Sequence, residues 1–235
     1  MAEIFALKIE ERLEDSLFSR LLQHVNPEKR TRVNRFLRWE DAHRGLFADL
    51  LVRRAIVEQL GIKNQEIFFS FNEFGKPSLA GQDDFHFNLS HSGIWVVCAI
   101  DRHPVGVDVE QVAPIDFGIS RNFFNEDEHR DLMSHEEPDK LPYFFTLWTL
   151  KESYIKAEGK GLSIPLDSFS MQALNPGHIN INVLGETNAN RFFKLYDIHQ
   201  DYKLALCTTH TQFPEHVTVV QLRDLISFFG DHTKI

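Results

Sequence analysis

IWVVCAIDRHPVGVDVE, residues 94–110, carries a continuous apolar strand through an Asp-Arg-His-Pro turn into a strictly alternating strand. Alternation puts Val105, Val107 and Val109 on one face and Gly106, Asp108 and Glu110 on the other. Two carboxylates two residues apart on one face repel each other unless a cation or solvent separates them. Hard oxygen ligands at that spacing suit magnesium, which takes one or two carboxylates and completes its shell with phosphate oxygens and water. The plainer reading is a half-exposed strand with a solvated acidic face.

Outward from this stretch the chain repeats its texture. Helical patterning precedes short strands twice, and each half has one cysteine in an apolar strand, in WVVCAI (Cys98) and KLALCTT (Cys207). The reading is an α+β fold of two related halves, residues 1–104 and 105–235, meeting near Pro104. No low-complexity linker separates them, so the halves should pack closely.

Leu13, Leu17, Leu21 and Val25, four apart, predict a first amphipathic helix. Asn26 with Pro27 and Glu28 reads as the start of the next, which runs towards Gly61 with a series of apolar positions too long for one assured helix. Strands are expected in IFFSFN (67–72), FHFNL (85–89), IWVVCAI (94–100) and VGVDVE (105–110). Asn125 reads as a cap before Glu126-Asp127-Glu128, and a helix is expected from Tyr143 to Glu158, stopped by Gly159. Further strands fall near Phe169, Ile179–Val183, Phe192–Ile198, Leu204–Cys207 and Val217–Leu222.

The 235 residues carry a net charge of −9, which argues against a bulk nucleic-acid or membrane binder. The hydrophobic share of 43% supports a substantial core, and 21 phenylalanines predict aromatic packing in it. Two cysteines inside apolar runs read as small hydrophobes, not as a disulfide framework. Neither a secretory signal nor an apolar run long enough to span a membrane is visible, so the cytoplasm is expected.

Three other groups of residues can carry chemistry. In WTLKESYIK, Trp148, Glu152 and Lys156 share a helix face, while Leu147, Leu150, Tyr154 and Ala157 supply a core stripe. Alone, Glu152 and Lys156 read as an intrahelical pair; beside the Asp108 face they supply a third acid and a phosphate-binding ammonium. Lys29, Arg32 and Arg44 belong to a basic concentration over residues 29–54, and Lys29 with Arg32 can clamp a terminal phosphate. Most of those cations otherwise pair with Glu40, Asp41 and Asp49 on a helix face. In NLSHSG, Ser90 and His91 enter a turn whose amides and hydroxyls can hold a pyrophosphate, and Lys76-Pro77 occupy another turn. There is no nucleophile elbow, P-loop, dinucleotide fingerprint or His-Glu-x-x-His.

Taken together, FGKP, FNLSHSGIWVVCAID, VGVDVE and LWTLKESYIKAEGKGLSIPLDSFS resemble the Sfp-type (surfactin-synthetase-activating) 4′-phosphopantetheinyl transferases, as do PEKRTRVNRF and EDAHRGL earlier and YKLALC later. The most specific elements, Gly-Val-Asp-Val-Glu and Trp-x-x-Lys-Glu-Ser-x-x-Lys, are complete. The resemblance implies transfer of the phosphopantetheine arm of coenzyme A to a serine of an apo peptidyl or acyl carrier domain, as in nonribosomal peptide and antibiotic synthesis. It implies two pseudo-symmetric α/β halves, each with helices on a mainly antiparallel sheet, and coenzyme A in the cleft between them. By the same resemblance, Asp108, Glu110 and Glu152 hold Mg2+; Lys156 contacts the pyrophosphate; Ser90 and His91 hold phosphates. Lys29, Arg32 and Arg44 surround the 3′-phosphate, and Lys76 and Pro77 border the adenine. Arg32 stands where relatives can have lysine, which keeps the charge and changes the hydrogen-bond geometry. Glu152 is the first candidate for the base that accepts the serine proton and Glu128 the second. The carrier is expected to dock near 159–190, on a monomeric enzyme.

Overall fold

The computed structural model describes residues 1–175, 178–183, 186–187 and 190–230. In chain order the elements are β1 (Glu3–Lys8), α1 (Asp15–Leu21), α2 (Pro27–Val33), α3 (Trp39–Leu60), β2 (Phe69–Phe71), β3 (Pro77–Leu79), β4 (His86–Ser92) and β5 (Trp95–Asp101). They continue with β6 (Gly106–Gln111), α4 (Ser120–Phe123), α5 (Glu126–Ser134), α6 (Lys140–Glu158), β7 (Phe169–Asn175), β8 (His178–Val183) and β9 (Glu186–Thr187). Last come β10 (Phe192–Tyr196), β11 (Tyr202–Thr208), β12 (Thr218–Val220) and α7 (Leu222–Gly230).

The two halves repeat one plan. In the first, β1 pairs antiparallel with β5 and β5 with β4, under α3. In the second, β6 pairs antiparallel with β11 and β11 with β10, under α6. A strand, a long helix and a hairpin thus occur twice with the same pairing order, and Cys98 and Cys207 sit in the corresponding central strands, buried and unbridged. Beyond the repeat, β12 returns to pair parallel with β1, and α7 packs on α3.

Burial on both faces explains the unbroken apolar run of β5. Val96, Cys98 and Ile100 face α3, whereas Trp95, Val97 and Ala99 face Val105, Val107 and Val109 of the second half. Leu204 and Leu206 of β11 join that inter-sheet layer, and Ala205 and Cys207 turn to α6. Each apolar side chain so enclosed is worth about 1.5–3 kcal/mol, which is ample to hold the halves together. Phe124, Phe144, Phe145 and Trp148 form a ring cluster in the second core, as the phenylalanine count predicts.

Local chemistry sets the helix starts. Asn26 accepts a hydrogen bond from the Lys29 N–H with Pro27 in the first turn, and Asn125 and Glu128 form a reciprocal capping box. Leu147, Leu150, Tyr154 and Ala157 are buried, as their spacing predicts. Several elements differ from expectation. The helical series towards Gly61 breaks between Val33 and Trp39, and the first helix is α1 followed by a 3₁₀ turn to His24. The strand expected over 67–72 narrows to Phe69–Phe71, with Phe68 and Phe71 exposed. β1, β3 and α7 carry no clear sequence signal and are added by the structure. Among the described residues, no helix is long and apolar enough to cross a membrane.

Candidate active site

Gly106 determines how closely α6 can cross β6. A Cβ there would lie 2.0 Å from the Ser153 carbonyl oxygen and 2.4 Å from the Ala157 nitrogen. With only hydrogen in that space, the helix lies directly on the strand, and Glu152 and Lys156, one turn apart, face the β6 acids. Lys156 Nζ is 2.6 Å from Asp108 Oδ1 and 3.0 Å from Ser90 Oγ. Ser90 donates to the same Asp108 oxygen at 2.8 Å and accepts from the Val109 N–H at 3.3 Å. Asp108 is 2% exposed, and its Oδ2 is buried with no hydrogen-bond partner among the described residues.

The acidic face expected to be either solvated or metal-binding is therefore buried at Asp108 and half-buried at Glu110. Burial pushes Asp108 above the usual carboxylate range, against the pull of Lys156 and Ser90. Burial, then the Asp108 charge, pushes Glu110 up to about 7, while Ser92 opposes the rise. Glu152 is also raised by burial, with Lys156 opposing and Asp108 adding to the shift. Three carboxyls that each resist ionisation, beside an orphaned carboxylate oxygen, make a place where a divalent cation is favoured. Among the described residues no three His, Cys, Asp or Glu side chains stand ready to enclose an ion by themselves. A magnesium site completed by substrate phosphate oxygens does not need such a cage, so Asp108, Glu110 and Glu152 fit the ion.

The expected phosphate and adenine contacts divide between two places. Lys29, Arg32 and Pro77 line a cavity of about 290 Å³ together with Phe69, Phe87 and Asp49. Burial lowers the Lys29 pKa, with Asp49 opposing the fall and Arg32 and Arg53 adding to it. His91 is shifted down by burial of its ring, then by Arg44, Lys156 and Lys29, so these three cations act on one imidazole. Arg44, however, is tied down: it donates to the Gly93 carbonyl at 2.6 Å and pairs with Asp41 at 2.5 Å. Lys76 is also engaged. Its Nζ donates to the Lys156, Ala157 and Val105 carbonyls at 2.6, 3.1 and 3.2 Å, so the ammonium closes the C-terminus of α6 and does not reach into the 290 Å³ cavity. Burial in that position lowers its pKa to about 8.

Glu128, the second candidate base, lies apart from the acid cluster. It is 5% exposed, pairs with Lys151 Nζ at 2.7 Å, and accepts from the Met171 and Asn125 N–H groups. Lys151 is wholly buried and also donates to the Leu166 and Phe169 carbonyls, so the pair ties α5 to α6 and to the chain at 166–169. The sequence reading missed Lys151, Asn88 and Ser92. Asn88, Ser90 and Ser92 are spaced by two in NLSHS, and that alternation was the available signal for a second polar strand face. The docking stretch 159–190 includes residues 176–177, 184–185 and 188–189, which lie outside the described residues.

Paired acids and a lysine where two repeated α/β halves meet, with a separate cavity in the first half that holds Lys29 and Arg32, suit an enzyme that handles a phosphate ester. The family model of the 4′-phosphopantetheinyl transferase superfamily matches residues 104–207, and that of the 4′-phosphopantetheinyl transferase N-terminal region matches 13–103. The chain is 40% identical to the 4′-phosphopantetheinyl transferase Sfp of Bacillus subtilis, over 95% of this chain and 100% of that one. It is 36% identical to the 4′-phosphopantetheinyl transferase gsp of Aneurinibacillus migulanus, over 99% and 97%. The chain belongs to the Sfp-type 4′-phosphopantetheinyl transferases.

Proposed function

We propose that this transferase moves the phosphopantetheine arm of coenzyme A onto a serine of apo peptidyl or acyl carrier domains of nonribosomal peptide or related synthetases, with Mg2+ at Asp108, Glu110 and Glu152. The serine oxygen bonds to the phosphorus that bears pantetheine. The bond from that phosphorus to the bridging oxygen breaks, and adenosine 3′,5′-bisphosphate leaves. The observation that carries this reading is the buried, unpartnered Asp108 Oδ2 beside Lys156.

Bound magnesium would neutralise pyrophosphate charge and polarise the reacting phosphoryl group. Lys156 donates to the pyrophosphate, and its ammonium stabilises the leaving phosphate. Glu152 accepts the serine proton, directly or through water, although the cation it also holds would weaken it as a base. Lys29 and Arg32 hold the 3′-phosphate at the cavity, while Pro77, with Phe69 and Phe87, borders the adenine. Ser90 and His91 line the path of the phosphates, and Arg44 acts from its tie to Gly93.

The carrier docks near 159–190, where exposed Leu162 supports an apolar contact. The enzyme works as a monomer in the cytoplasm, with halves divided at 104/105. Incubation with coenzyme A, magnesium and a panel of apo carrier domains, followed by intact-mass measurement of each carrier, tests the reading. Carriers should gain phosphopantetheine; unmodified carriers with hydrolysed coenzyme A would replace transfer with hydrolysis.

A further inference from the structure

β4 and β6 are the facing edges of two different sheets, and their alignment is parallel without a main-chain ladder. Because β6 pairs with β11 on one side, alternate N–H groups point the other way and need partners. Side chains of β4 supply them. Asn88 Oδ1 accepts from Val107 N–H at 2.9 Å, Ser90 Oγ from Val109 N–H at 3.3 Å, and Ser92 Oγ from Gln111 N–H at 3.1 Å.

The two serine rungs carry a second function that the asparagine rung lacks. Ser90 passes its hydroxyl hydrogen to Asp108 Oδ1, and Ser92 passes its own to Glu110 Oε2 at 2.7 Å. In both, a serine accepts one β6 amide and orients the carboxylate of the residue just before it. The turn that follows Ser92 is held by Arg44 at the Gly93 carbonyl and by Tyr202, whose hydroxyl accepts the Ile94 N–H at 3.1 Å.

We propose that Ser92 is a positioning residue that orients Glu110 for the cation, as Ser90 orients Asp108. This rests on the reading that Asp108 and Glu110 hold a divalent ion. Among the described residues Ser92 is the sole hydrogen-bond donor to Glu110, which leaves the second carboxylate oxygen for a ligand. Groups that orient a metal-binding carboxylate typically change metal affinity about 10- to 100-fold when removed.

The test uses Mn2+ as the probe, titrated into the full-length protein with coenzyme A present and carrier absent, the free ion being read by electron paramagnetic resonance. Ser92→Ala should weaken Mn2+ binding about ten-fold or more, and Ser92→Thr, which keeps the hydroxyl, should stay near wild type. Asn88→Ala removes a rung that touches no acid, so it should lower the thermal midpoint while leaving Mn2+ affinity near wild type. Wild-type affinity in Ser92→Ala would overturn the inference. So would equal weakening in Asn88→Ala, since a loosened strand would then be sufficient explanation. An Asp108→Asn variant that binds Mn2+ like wild type would instead remove the cation reading, and this inference with it.

Discussion

Lys156 Nζ meets Asp108 Oδ1 at 2.6 Å across the crossing of α6 and β6, while the other oxygen of Asp108 is buried with no partner. The pair is half-completed by the protein. One carboxylate oxygen has an ammonium and a serine, and the other waits in a site where two further acids also resist ionisation. A protein optimised for stability alone would avoid such a carboxylate, because a buried oxygen left without a hydrogen bond is costly.

Asp108→Asn removes that charge with little change of shape. Transfer should fall roughly a hundred-fold or more, as expected when a group that stabilises charge in the transition state is lost. The denaturation midpoint should stay level or rise. Wild-type turnover in this variant would remove Asp108 from the chemistry.

Glu128→Gln tests the opposite assignment. It leaves Lys151, wholly buried, without its counter-ion, and should cost about 3–5 kcal/mol by denaturant titration. Turnover per folded molecule should change only a few-fold. A selective loss of turnover at unchanged stability would restore Glu128 as the base.

Glu110 gives the metal-free protein a defined pH response. Its folded pKa of about 7 lies above the roughly 4.3 of a free glutamate, so the folded state holds the proton more tightly. That contribution is complete below pH ~4.3 and is lost as pH rises through ~7. Measured in chelator against Glu110→Gln, which does not titrate, wild type should lose about 1–3 kcal/mol of relative stability between pH 4.5 and 8. A pH-independent difference would show that the environment of Glu110 is misjudged.

Gly106→Ala places a methyl group against the α6 backbone at Ser153 and Ala157. Neither backbone can move without parting helix from strand, so a loss of about 1–3 kcal/mol or more is expected, together with reduced transfer. A fully active, equally stable variant would show that the crossing is looser than described.

Much of this was legible in the sequence. The alternation at 105–110 and the four-residue spacing of Glu152 and Lys156 placed acids and ammonium on definite faces, and the structure brings those faces together. The twin cysteine strands correctly marked the repeat. What stayed hidden depends on partners distant in sequence. Lys76 reads as a turn residue, yet it closes α6 some eighty positions later. Glu128 reads as a first-turn acid and a second candidate base, yet its counter-ion Lys151 lies on the core side of a helix whose other face carries the site. β12 falls inside the strand expected over Val217–Leu222, but its parallel pairing with β1 is set by tertiary contact, not by local propensity.

The most direct test of the central claim is the single-turnover rate of Glu152→Gln, followed by intact mass of an apo carrier at saturating coenzyme A and magnesium. The variant should still bind coenzyme A by calorimetry while the carrier remains largely unmodified on the wild-type time scale. Carrier modified at the wild-type rate would contradict that claim.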